Sequence, residues 1–146
     1  NSGRGWVMVR ALNLEPTALI KAMESGDFYS STGVTLKELK QTKKEIAISI
    51  DTEKGVSYTT KFIGTRKGYD PKSEPYILPS GAKLRVTHRY SDDIGQVLAT
   101  VKGPKATYRL KGNELFVRAQ IISSKAQKNA ITPNATEMAW TQPVAP

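Results

Sequence analysis

The chain has 146 residues, of which 38% are hydrophobic and 24% charged, enough for one ordinary domain with a real core and too few for two large ones. No apolar run approaches the roughly 18–20 residues that cross a bilayer, which argues against a membrane span, and the lack of cysteine excludes disulfides, thiolate metal sites and a cysteine nucleophile. The net charge of +9 is uneven: residues 1–36 balance Arg4, Arg10 and Lys21 against Glu15, Glu24 and Asp27, so the whole excess lies in the 110 residues that follow.

The opening NSGRGWVMVRAL has neither an initiator methionine nor the charged-then-apolar design of a signal peptide, the expectation for a fragment or a processed product. Residues 6–12, WVMVRAL, predict a strand buried on both faces, because apolar side chains on both sides need cover on both sides. LEPTALIKAMESG predicts a helix of about ten residues: Pro16 suits the first turn, Leu19, Ala22 and Met23 recur at helical spacing, and Gly26 closes the end in a left-handed conformation. The stretch DFYSSTG then reads as the helix exit and a turn, with Phe28 as an anchor and Gly33 leading into the next strand.

From Val34 the period changes to two. VTLKEL, EIAISID, SYTTKFIG, KLRVTHRY, QVLATV, ATYRL, LFVRAQIIS and MAWTQPV follow, most of them separated by turn material such as EKG, GPK and KGNE. Short strands at close spacing, with no helix between them, predict a mainly β chain: an antiparallel β-sandwich with immunoglobulin-like layers, preceded by one strand and one short helix. Two longer loops are expected, at 66–82 with three prolines and at 125–136.

The sequence offers few groups for chemistry. His88 is the single histidine, in phase with Leu84, Val86 and Tyr90 on its strand, with Asp92 and Asp93 just beyond. One imidazole and two adjacent carboxylates fall short of the three or four convergent ligands a metal needs. A serine hydrolase would have to pair Ser30 or Ser31 with His88, and no G-x-S-x-G elbow is present. SGRG at 2–5 and GTRKG at 64–68 complete no phosphate-binding fingerprint. Asn134-Ala135-Thr136 matches the glycosylation pattern by composition alone. Tyr58, Phe62, Tyr90, Tyr108, Phe116 and Trp140 sit on or beside strands, where packing is the usual role, whereas Tyr69 and Tyr76 fall on the first long loop as an exposed aromatic platform. The basic surface invites an anionic partner. With no Lys/Arg run longer than two, a solvated basic face is the plainer reading, and nucleic acid is not the expected partner.

GRGWVMVRA, the segment ALIKAMESGDFYSSTGVTL and the closing MAWTQPV together resemble the C-terminal part of bacterial PHP-type proteins, the polymerase and histidinol phosphatase family of metal-dependent phosphoesterases. In many members a helix ending in a Gly-acid/Arg-Phe-Tyr-(Ala/Ser)-Ser-(Thr/Ser)-Gly turn finishes the catalytic barrel, and a β-sandwich ending in Ala-Trp-(Ser/Thr)-(Asn/Gln)-Pro follows. Gly26-Asp27-Phe28-Tyr29-Ser30-Ser31-Thr32-Gly33 and Ala139-Trp140-Thr141-Gln142-Pro143 match the two signatures. The family's His-x-His, Glu, His and Asp-x-His ligand motifs do not occur in this sequence, so the resemblance carries no metal position onto it, and divalent metals are expected only in an upstream barrel.

The resemblance implies a barrel tail at 1–33 and a non-catalytic accessory sandwich at 34–146 that is structural or presents substrate. Its partner would be the upstream barrel of the same protein. Arg4 and Trp6, on the strand nearest the ligands, and Ser30 and Ser31 become candidates for the rim of the parent's cavity. The implied setting is bacterial, with a periplasmic or secreted location favoured over the cytoplasm. The alternative is a sandwich that binds a polysaccharide or another anionic polymer through its basic face and the segment carrying Tyr69 and Tyr76.

Overall fold

A computed structural model describes residues 3–146. In chain order the elements are β1 (Trp6–Val9), α1 (Pro16–Glu24), β2 (Phe28–Ser31), β3 (Leu36–Gln41), β4 (Glu45–Ile50), β5 (Tyr58–Arg66), β6 (Ser73–Ile77), β7 (Lys83–Tyr90), β8 (Gln96–Lys102), β9 (Lys105–Arg109), β10 (Glu114–Ala126) and β11 (Thr136–Thr141). The strands form a six-stranded sheet in the order β1-β2-β11-β10-β5-β8, a three-stranded sheet β3-β4-β9 and a separate ribbon β6-β7. Every strand pairing is antiparallel, as the alternation predicts.

The two larger sheets bury alternate residues against each other. Ile46, Ile48 and Ile50 of β4 and Ala106 and Tyr108 of β9 face Phe62 of β5 and Val117, Ala119 and Ile121 of β10, and the rings of Phe62 and Tyr108 lie 5.3 Å apart at the centre. Among the described residues this is the one core cluster, and β-branched and aromatic residues make up most of it because they fit a pleated surface.

α1 ends as its sequence requires. Pro16 occupies the first turn, and beyond Ser25 the amide of Gly26 donates to Met23 O (3.1 Å) while that of Asp27 donates to Ala22 O (2.8 Å). These two bonds make a complete Schellman cap, with Gly26 at φ 74° where a side chain is disfavoured.

Three expectations are corrected. First, Phe28–Ser31 is a strand and not a turn: β2 pairs with β1 on one side and with β11 on the other, Ala139 opposite Ser31 and Trp140 opposite Ser30. Residue 33 therefore marks the point where the chain leaves the six-stranded sheet for the three-stranded one. Second, the segment 66–82 is not one long loop, since it contains β6, whose proline is tolerated because a two-stranded ribbon has only one paired side. Third, the WVMVRAL strand is shorter and uncovered. β1 is an edge strand whose first three residues are exposed.

Candidate functional site

The most unusual surface surrounds β1. Trp6, Val7 and Met8 are 45%, 44% and 37% exposed, and Leu12, Leu14, Ile20 and Met23 along the following loop and helix are exposed too. On α1 only Ala22 is buried. A strand that is apolar on both faces belongs inside a sheet between two layers. This one has a free edge with no charge, proline or bulge to blunt it.

The pairing register shows which residues lie beside β1 on the outer face of the six-stranded sheet. One row runs Val7, Ser30, Trp140, Gln120, Lys61, Thr100 from β1 to β8. Its β1–β11 end sets Val7 and Trp140 on either side of Ser30, and its β5–β8 end is polar and basic. Beside the row, Ser30, Ile94, Phe116, Arg118, Trp140 and Gln142 line a shallow depression of about 630 Å³, which combines an indole, a guanidinium, a hydroxyl and an amide.

A smaller groove of about 280 Å³ lies where β1 and β2 overhang β3, between Met8, Phe28, Leu36 and Leu39. Arg10 closes it. Its Nη2 is 2.5 Å from Asp27 Oδ1 and its Nη1 donates to Leu39 O at 3.2 Å, so one side chain ties the end of β1 both to the strap before β2 and to the other sheet.

The sequence-predicted rim residues are not gathered at one point. Ser30 faces outward beside Trp140, whereas Ser31 is buried on the opposite face, its Oγ donating to Val34 O (2.7 Å) and accepting from the Gly33 amide (3.0 Å). Ser31 is occupied in holding the crossing between sheets. Trp6 pairs with Ser31 across β1 and β2, and Arg4 is half-buried with its carbonyl accepting from Gln127 Nε2 at 2.8 Å. Tyr69 is half-buried ahead of β6, while Tyr76 is exposed on β6 itself, and among the described residues no ring contact joins them.

His88 is exposed on β7, with its Nδ1 3.0 Å from Ser73 Oγ. Asp93 bonds the Asp70 amide through Oδ2 at 3.4 Å, the backbone-capping role its turn position suggests. Among the described residues there is no group of three His, Cys, Asp or Glu side chains placed to hold a metal ion, and no helix is long and apolar enough to cross a membrane.

Sequence reasoning missed two charged sites. Glu114 is fully buried, with Oε1 accepting from the Tyr108 hydroxyl at 2.7 Å and both oxygens accepting from the Lys111 amide at 3.1 and 3.0 Å. Burial pushes its carboxyl up, but the Tyr108 hydroxyl and the backbone amides outweigh that and hold it below the ordinary carboxylate value. Burial, then the hydrogen bond to Glu114, pushes Tyr108 up to about 12. Near the other end of β10, Lys125 bonds Glu53 at 2.7 and 2.8 Å and lies 3.4 Å from Glu137, contacts from chain-distant partners that no local pattern signals. Both clusters use their charges on each other and on backbone groups, a structural employment. Comparison with family models, with curated proteins and with solved structures returns no match.

Proposed function

We propose that this chain is the C-terminal accessory β-sandwich of a PHP-like metal-dependent phosphoesterase, held against an upstream barrel by β1 and α1 and itself non-catalytic. The observation that carries the reading is the uncovered apolar strip of Trp6, Val7 and Met8 with Leu12, Leu14, Ile20 and Met23. Large apolar side chains left exposed in this number on one strand, loop and helix point to a contact site. The strip coincides with the part of the sequence that resembles the last strand and helix of the barrel, and its charges cancel, so it lacks the repulsion that a uniformly basic face would bring to a neighbour.

In such a parent the metals would activate water and stabilise charge on phosphoryl oxygens, with ligands supplied by the barrel. This chain would contribute the body against which the barrel closes, with the β1 edge on the side nearest it. Sheet pairing through β2 and β11 would then make the barrel tail and the sandwich one mechanical unit.

Two measurements on the longer polypeptide encoded with its upstream segment test this. Amide exchange over residues 6–23 should slow by about tenfold or more relative to the isolated chain, as expected for a segment moved from an exposed edge into an interface. Hydrolysis of a generic phosphodiester with added manganese or zinc should appear in the long form only. Unchanged exchange, or activity retained by the gel-filtered 146-residue chain, would overturn the reading.

A further inference from the structure

The depression on the outer face of the six-stranded sheet is a feature independent of the proposed barrel contact at the β1 edge. Strand alternation decides which side chains reach it. Arg118 lies between buried Val117 and Ala119 on β10, Trp140 between buried Ala139 and Thr141 on β11, and Ser30 between buried Tyr29 and Ser31 on β2. Trp140 stands opposite Ser30 on one side and Gln120 on the other, and Arg118, two residues from Gln120, stands opposite Ile63. The guanidinium and the indole therefore project from the same face as diagonal neighbours on adjacent strands, a separation that long side chains bridge.

The walls of the depression are fixed by the fold. On one side the Gly95 amide donates to Thr65 Oγ1 at 3.0 Å, which holds the turn carrying Ile94 against β5. On the other, Val144 exchanges two 2.8 Å backbone bonds with Val117, and Gln142 O accepts from Gln41 Nε2 at 2.7 Å, so the segment with Gln142 and Pro143 is tied down. A site built in advance spends little on ordering when it is filled. The volume of about 630 Å³ falls within the roughly 300–1,000 Å³ of small-molecule sites, which are mainly apolar with a few placed polar groups. Phe116, Ile63, Ile94 and Pro143 surround the indole here, and Ser30, Gln142 and Arg118 are the polar members.

The charge of the depression is of one sign. Arg118 is the single ionised side chain in its lining, and among the described residues it forms no ion pair. Strands β2, β5, β8, β10 and β11 carry two carboxylates, Glu114 and Glu137, and both are buried, one bonded to Tyr108 and the other beside Lys125. Asp27, just before β2, is paired with Arg10. Asp92 and Asp93 precede Ile94 on its turn, where Asp93 Oδ2 accepts from the Asp70 amide at 3.4 Å.

We infer that this depression binds a small aromatic carboxylate. One unpaired guanidinium calls for one anionic group, which it holds through two parallel N–H bonds, with the Ser30 hydroxyl and the Gln142 amide as further donors. The apolar lining calls for a flat apolar body, for which the indole and Phe116 supply the bed. A nucleic-acid strand or another polyanion fits less well, because it follows a track of cations and a single one lines the depression.

The test uses the 146-residue chain with 2-naphthoate as the probe, followed by calorimetry and by the indole N–H signals of Trp6 and Trp140, told apart with Trp6→Phe. Naphthoate should bind saturably and move the Trp140 signal with the same concentration dependence, leaving that of Trp6 in place. The neutral alcohol 2-naphthylmethanol should bind about tenfold or more weakly, the difference a charge-assisted pair makes. Arg118→Gln should remove that difference, weakening naphthoate by about tenfold at an unchanged melting temperature. Lys105→Gln takes the same charge from the three-stranded sheet and should leave affinity within about twofold, the usual result of a surface change. The proposal is overturned if naphthoate does not bind or leaves Trp140 unmoved, if the alcohol binds as tightly, if both charge variants lose affinity equally, or if 1-naphthyl phosphate or a thymidine oligonucleotide binds more tightly with the same dependence on Arg118.

Discussion

At the scale of single residues, Glu114 is the clearest instance of a charge recruited to hold a core together. Its carboxylate is fully buried yet accepts from one phenol and one backbone amide, which bridges the β9–β10 turn. Since its folded pKa is lowered from 4.5, its contribution is fully present above that value and is lost as pH falls through the folded one. Glu114→Gln should therefore cost about 1–3 kcal/mol at neutral pH, the usual loss when a charged acceptor of buried donors is removed. Urea unfolding at neutral pH and again well below pH 4 checks the sign: the gap between variant and parent should close in acid, and a gap independent of pH would refute the role. The sequence concealed this residue for a definite reason. Strict alternation from Val117 would send Glu114 outward, but the register shift between Glu114 and Phe116 turns it inward, and a bulge leaves no signature in the hydrophobic pattern.

At the scale of elements, the same bulge explains a glycine in the middle of β5. Gly64 pairs with Val117, and a Cβ at Gly64 would lie 2.4 Å from Phe116 O and 2.9 Å from Leu98 Cδ1. A backbone oxygen cannot swing aside as a flexible side chain can. Gly64→Ala should destabilise by about 1–3 kcal/mol, the range for overpacking a close-packed site, read as a lowered denaturation midpoint with an unchanged slope; a neutral result would mean that the two strands separate easily there. The other elements divide by how local their cause is. α1 was legible because its cap and proline are local signals, β4 and β9 because their alternation is uninterrupted, and β5, β7 and β8 because their β-branched and aromatic runs are bounded by turn residues. β2 was not, because FYSS earns its strand state from partners on both sides, one of them more than a hundred residues away at Ala139 and Trp140. β6 was hidden by Pro75, which a fully paired strand would exclude.

At the scale of the whole molecule, accessible surface separates what the chain satisfies alone from what it leaves open. A compact monomer of 16.0 kDa exposes about 7,400 Å² by the usual scaling with mass, and this chain exposes 10078 Å². The excess has visible sources in the projecting β6-β7 ribbon, the bare β1 edge and a helix that buries one residue. The candidate site was legible only in part for the same reason: the run WVMV announced that it wanted cover on both faces, and only the fold shows that β1 is left at an edge without it. Free apolar edges pair with other strands, and the +9 charge that would oppose association lies outside residues 1–36. The isolated chain should therefore self-associate reversibly through β1, with a sedimentation coefficient that rises with concentration. Val7→Lys, which puts a charge on the outer face of the edge strand opposite Ser30, should hold it monomeric without lowering its melting temperature, because Val7 is already 44% exposed. A wild-type chain that stays monomeric throughout, or a lysine variant that associates equally well, would show that β1 tolerates water and would remove the main physical reason for a neighbour at that edge.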